Sequence, residues 1–297
     1  MSTAKKKIIE PFPLKDLSNV WKKTKASLRR IGKQSDEKIN VARGALLLSR
    51  LNQPYKEVQP YLDHLKDIHQ AVKDKLKKYK IKNPELDQRV NILNEVILED
   101  FGYVGDHDHY EGHHPFDLMS TIDQRKGVPI TLAIIYMDVA RRMQWPMSAI
   151  NFPGHFLLRI SCFDRACIVD PFHGGKCHDA VRLRGLIKIA SGLDAELQPG
   201  DYAPTDNRNI LLKLQNNNKL RYIKNGDMAS ASDIVDTMLW VAPLASNVWY
   251  EGALLQARKG CFQKAKSMLE KSLDCAESEE DRHQIYLMLQ QLRQRIQ

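Results

Sequence analysis

Residues 130–143 read ITLAIIYMDVARRM, a helical stretch so apolar that most of its faces must be covered by other parts of the protein. Gly127-Val128-Pro129 breaks the chain just before it, and proline suits the start of a helix, so the segment predicts a central core helix. Its most apolar part, residues 130–137, falls far short of the roughly 20 residues that cross a bilayer. The rest of the chain must therefore supply elements that wrap this helix.

Helical periodicity precedes it. Val41, Ala45, Leu48 and Leu51 mark one segment, residues 55–79 a second, and Val90, Leu93, Val96 and Ile97 a third, with Pro54 and Pro84 as punctuation. A polar loop, GYVGDHDHYEGHHP at 102–115, leads to a short helix near 116–125. Short β-prone runs follow the core helix at 147–152, 156–161 and 166–170, and the tight CFDR connection makes the last two an antiparallel hairpin. Helices followed by strands argue for an α+β domain. The PGDYAP segment at 199–204 reads as a linker before helices resume.

The net charge of +9 is unevenly placed, because residues 1–34 hold ten Lys and Arg against two acids. In that arm Leu14, Leu17, Val20, Trp21, Leu28 and Ile31 share one helical stripe, with Lys15, Lys22, Lys23, Arg29 and Arg30 off it. The expectation is a basic amphipathic helix docked on the body, with an anionic surface, nucleic acid or membrane, as the alternative target of residues 5–33. The organisation expected is a basic arm at 1–35, an α+β core at 36–200 and a helical tail at 205–297. The opening MSTAKKK offers no apolar leader, so a cytoplasmic address is expected. Five cysteines without CxxC spacing, Cys162, Cys167, Cys177, Cys261 and Cys275, read as reduced thiols.

The tail repeats itself. Gly226, Met228, Ala231 and Met238 are matched 34 residues later by Gly260, Phe262, Ala265 and Ser272. With Trp249, Gly252, Ala253 and Leu269, and Tyr222 in the preceding unit, this resembles tetratricopeptide (TPR) repeats. Two imperfect repeats and a last helix are expected, and such a tail implies a protein or peptide partner.

Three segments carry candidate chemistry: GVPITL at the head of the core helix, FPGHF entering a strand, and IVDPFHGG ending the next. A papain-like or transglutaminase site needs a thiol at a helix N-terminus, a histidine base on a neighbouring strand, and a carboxylate that holds the histidine's tautomer. These positions occur here in that order. Residues 44–175 resemble the SirB-type transglutaminase-like family of bacterial proteins, whose members pair such a core with a TPR tail. The resemblance implies a transglutaminase or papain-like fold with Thr131 at the nucleophile position, His155 as the histidine and Asp170 as the carboxylate.

An alcohol is a poor substitute for a thiol near neutral pH. The Thr131 hydroxyl also suits helix capping, accepting a free backbone N–H. If His155 faces the core helix, Leu157 and Arg159 face it too, and Asp170 shares a face with Ile168 rather than Cys167. His155 and Asp170 read either as a structural pair tying two strands or as a retained site. Cys177, beside His178, is the cysteine freest to swing in. His107, Asp108, His109, His113 and His114 crowd the polar loop, yet their spacing fits no established catalytic metal motif and reads as solvated histidines, so no metal or cofactor is expected. The functional expectation is a transglutaminase-like scaffold that binds protein partners without thiol chemistry. The alternative is an amide hydrolase or acyl transferase using His155 and Asp170 with Thr131 or a bound water.

Overall fold

The computed structural model describes residues 17–107, 116–150 and 152–296. The first 16 residues of the expected arm, with Leu14 and Lys15, and Asp108, His109, His113 and His114 of the polar loop lie outside the described residues.

Helix α1 (Leu17–Gly32) buries Val20, Leu28 and Ile31 and turns its lysines outward. It packs on α9 (Met228–Val241) and on α2 (Val41–Asn52). The Trp21 and Trp240 rings meet edge to face at 5.4 Å, and the Lys25 ammonium lies 4.8 Å from the centre of each. The helix thus docks on the body through its apolar stripe. The N-terminus of α2 is capped by the Asn40 side chain, which accepts the Arg43 N–H at 2.8 Å. Next come α3 (Val58–Lys78) and α4 (Leu86–Asn94), which runs on into a π-helical turn at Glu95–Asp100.

A short parallel pair, β1 (Val104–Gly105) and β2 (Lys126–Gly127), brackets α5 (Leu118–Gln124) and leads into α6 (Pro129–Arg142). Proline opens α6, where its missing N–H has no helical partner to lose. Ten of its fourteen residues are buried, as its composition requires. Against it stands an antiparallel sheet of β3 (Met147–Ile150), β4 (Leu157–Cys162), β5 (Arg165–Asp170), β6 (Lys176–His178) and β7 (Pro204–Thr205), in the order β6-β5-β4-β3-β7. Phe163, at φ 51°, turns the β4–β5 hairpin. The sheet has two covered faces. Leu158, Ile160 and Val169 join Leu132, Ile135 and Val139 of α6 in the main core, while Ile150 and Leu157 pack with Leu183 and Ile187 of α7 (Ala180–Ser191).

The tail is a stack of helical pairs: α8 (Asn207–Lys224) with α9, α10 (Ser246–Arg258) with α11 (Phe262–Cys275), then α12 (Glu279–Ile296). The 34-residue period is visible as a repeated helix ending. Gly226 and Gly260 take φ near 78° and 75°, and the amides of Asp227 and Cys261 bond back to Tyr222 and Gln256 at 2.9 Å. Ala231 and Ala265 are fully buried, letting paired helices approach closely. Core and tail share α8: Leu211 and Leu214 lie in the main core, and Asn218 bonds both the N–H and the carbonyl of Phe116. Among the described residues no helix is long and apolar enough to cross a membrane.

Candidate functional site

The head of α6 carries Thr131, fully buried. Its hydroxyl donates to the Val128 carbonyl at 3.1 Å and accepts from the Thr121 hydroxyl at 2.9 Å. It does not accept a free backbone N–H, the capping role read from the sequence, because from the third position of the helix it turns back to the Val128 carbonyl. Gly127 leaves room for this arrangement: a Cβ there would stand 2.6 Å from the Thr121 methyl and 2.7 Å from the Thr131 oxygen. Neither His155 nor Asp170 is among the hydrogen-bond partners of Thr131.

Asp170 ends β5 and is itself buried. Its Oδ1 accepts the backbone N–H groups of Phe172 at 3.0 Å and His173 at 3.3 Å, while Oδ2 lies 2.7 Å from His173 Nδ1 and 3.6 Å from His178 Nε2. The register explains these neighbours. Ile168 pairs with His178 across β5 and β6, so Asp170, two residues on from Ile168, shares a face with the His178 ring. Gly174 and Gly175, at φ 79° and 63°, fold the chain back between the strands. Asn94 clamps that turn by donating to the Gly175 carbonyl at 2.8 Å, and Tyr136 of α6 donates in turn to Asn94 at 3.0 Å.

His155 lies just before β4, not in it, because Gly154 at φ 72° turns the chain there and the His155 N–H bonds the Phe152 carbonyl at 3.0 Å. Along the strand Phe156, Leu158 and Ile160 face the α6 core, and Leu157 faces α7. His155 is half-buried and its ring centre stands 6.2 Å from that of His173. Burial holds its pKa below the ordinary histidine value, the Asp170 carboxylate opposes this, and the His173 and His178 rings reinforce it. The ring of His107, the polar-loop histidine within the described residues, lies tilted against Phe172 at 4.5 Å and 5.7 Å from the His173 ring.

The structure thus brings His155 and Asp170 into one cluster and adds His173 and His178. Sequence reasoning did not assign these two, although His173 follows Asp170 by three residues and His178 sits on the next strand. The reduced-thiol expectation is corrected for two cysteines. Cys167 and Cys177 are joined in a disulfide, their Cα atoms 6.0 Å apart: Cys177 pairs with Val169 across β5 and β6, and Cys167, two residues from Val169, lies diagonally beside it on the same face. Cys177 is therefore not a free thiol. Cys162, Cys261 and Cys275 are free.

A cleft lies between α1 and the tail. This cleft of ≈ 980 Å³ is lined by Trp21, Trp240 and Trp249, by the cations Lys25, Arg29, Lys33 and Lys264, and by the acids Asp233 and Asp236.

A helix packed on an antiparallel sheet, a histidine–carboxylate cluster at the sheet's edge and a tail of paired helices together define a transglutaminase-like core with a TPR-type tail. The chain belongs to the transglutaminase-like superfamily, whose model matches residues 59–216, and residues 219–292 match a tetratricopeptide repeat model. It is 32% identical over 157 residues to the UPF0162 protein of Xylella fastidiosa (strain 9a5c), covering 51% of this chain and 55% of that one. It is 28% identical over 152 residues to the UPF0162 protein PA3419 of Pseudomonas aeruginosa, with the same coverage. It is 31% identical over 72 residues to F-box only protein 21 of Mus musculus, covering 24% of this chain and 12% of that one. The chain spans about half the length of the curated UPF0162 relatives it matches.

Proposed function

We propose that this protein is a transglutaminase-like scaffold that performs no thiol chemistry and binds an acidic peptide segment in the cleft between α1 and its TPR-type tail. The observation that carries the non-catalytic reading is the burial of Thr131, whose hydroxyl is engaged inside the protein at the position where a thiol nucleophile would meet substrate. The cleft supports the choice of partner: four cations face two acids among three tryptophans. Flat aromatic rings and long cationic stems suit a peptide that carries both carboxylates and apolar side chains.

The test is anisotropy titration of the full chain with a labelled Glu/Leu-rich peptide and a Lys/Leu-rich counterpart. The acidic peptide is expected to bind with marked salt sensitivity, and the double substitution K33E/K264E to weaken it more than about tenfold. Equal binding of both peptides, or no loss in the double variant, rules out the cleft. Nucleic acid or anionic vesicles at residues 5–33 are the competing use of the basic helix, and would bind independently of Lys264. Hydrolysis or acyl transfer from amide substrates, abolished by His155→Ala, would replace the scaffold reading with the enzymatic one, using His155 and Asp170 with Thr131 or a bound water.

A further inference from the structure

We propose that His155, Asp170, His173 and His178 form a binding site for a divalent transition-metal ion of the zinc type. One ring nitrogen each of His155 and His173 and a carboxylate oxygen of Asp170 already lie within 4.8 Å of one another. The independent observation is His178. Its side chain is 3% exposed, and neither ring nitrogen has a hydrogen-bond partner among the described residues. A neutral imidazole carries one N–H and one lone pair, and burying both without partners costs free energy unless something else takes them. The Nε2 of that ring stands 3.6 Å from Asp170 Oδ2, so it points into the cluster rather than away from it.

Three imidazoles and one carboxylate are the ligand types that zinc, cobalt and nickel accept, and hard ions such as magnesium and calcium prefer all-oxygen sets. Metal–ligand bonds of about 2.0–2.2 Å place neighbouring donors in a tetrahedron roughly 3.4 Å apart. The 4.8 Å spread of the His155, Asp170 and His173 donors therefore closes by roughly 1.4 Å, and the two histidine rings also move toward His178 Nε2, which already stands 3.6 Å from Asp170 Oδ2. The two part-exposed rings supply that movement, because the His173 side chain is 48% exposed, whereas Asp170 and His178 are fixed in the sheet. The backbone is held as a metal site requires. The N–H groups of Phe172 and His173 fix one carboxylate oxygen, and the Tyr136–Asn94–Gly175 chain fixes the turn.

The experiment is a titration of CoCl2 into untagged, chelator-treated full-length protein, followed by visible absorption. The expected result is a set of d–d bands saturating at one cobalt per chain and displaced by ZnCl2. H155Q and H173Q, substitutions at part-exposed positions, are expected to weaken binding more than about tenfold with near-ultraviolet dichroism unchanged. A triple H109S/H113S/H114S variant is expected to bind as the wild type does. Absence of a saturable one-to-one spectrum in the wild type overturns the proposal. So does binding that survives H155Q and H173Q, or that is lost with the loop histidines.

Discussion

Replacing Thr131 by valine tests whether this position does chemistry or packing. Valine keeps the shape and removes the hydroxyl, which makes one donated and one accepted hydrogen bond inside the protein. No partner is orphaned by the change. The Val128 carbonyl still accepts the Leu132 N–H at 3.2 Å, and the Thr121 hydroxyl still reaches the Asp117 carbonyl at 3.1 Å. Two net bonds at about 0.5–1.5 kcal/mol each, without a desolvation penalty, make T131V cost about 1–3 kcal/mol. T131A removes a buried methyl as well and adds about 1 kcal/mol. For a unit of this size 1 kcal/mol moves the melting midpoint by about 2–4 °C, so T131V is expected to melt about 2–12 °C below the wild type by circular dichroism. Partner binding is expected to be intact below the transition. A T131V protein that melts with the wild type yet loses an acyl-transfer or hydrolytic activity would refute this reasoning, because the hydroxyl would then work on substrate.

Gly32 ends α1 against the backbone of Trp240, where a Cβ would stand 2.3 Å from the carbonyl oxygen. G32A is expected to destabilise by about 1–3 kcal/mol and to change tryptophan emission as the Trp21–Trp240 contact opens; an unchanged spectrum and melt would contradict the docking of α1. His64 is half-buried, accepts from the Arg125 guanidinium, and has a pKa pushed down to about 4, first by burial and then by Arg125. The folded form keeps this ring neutral while the unfolded chain protonates near 6.5, so the stability it confers is complete above about pH 6.5 and is lost as the pH falls to about 4. With solvent screening the expected loss is about 1–2 kcal/mol in urea melts, and H64Q is expected to flatten that part of the profile; an unchanged slope would exclude His64 as its source. The Cys167–Cys177 bond closes a loop of sequence separation 10, for which chain entropy gives about 2–3 kcal/mol. Reductant is expected to lower wild-type stability by that amount and to leave C177S unaffected; equal sensitivity in both would show that the bond does not form in solution.

Periodicity made the scaffold legible because each signal was local. The apolar run at 130–143 could only be a buried helix, and the repeated glycines at 226 and 260 could only end paired helices alike. Residues 147–170 read as strands because Val, Ile, Leu and Phe cluster between turn-forming residues. What stayed hidden was long-range or depended on a single dihedral. The β6 strand, KCH, is too short to carry a pattern, so neither the Cys167–Cys177 pairing nor the place of His178 beside Asp170 could be read from spacing. The positive φ at Gly154 moved His155 out of β4, and an alternation argument that treats it as a strand residue assigns every following side chain to the wrong face.

That same dihedral bears on function. His155 is freed from the sheet on the side where Asp170, His173 and His178 gather, while Thr131 turns inward to Thr121 and Val128. The two halves of the transglutaminase-like constellation are thus served by different partners. The helix end is satisfied within the core, its hydroxyl proton committed to the Val128 carbonyl. The histidine–carboxylate end keeps a part-exposed ring and a buried imidazole with no hydrogen-bond partner among the described residues. Under the two proposals, changes at Thr131 should register as stability while changes at His155 should register as metal binding.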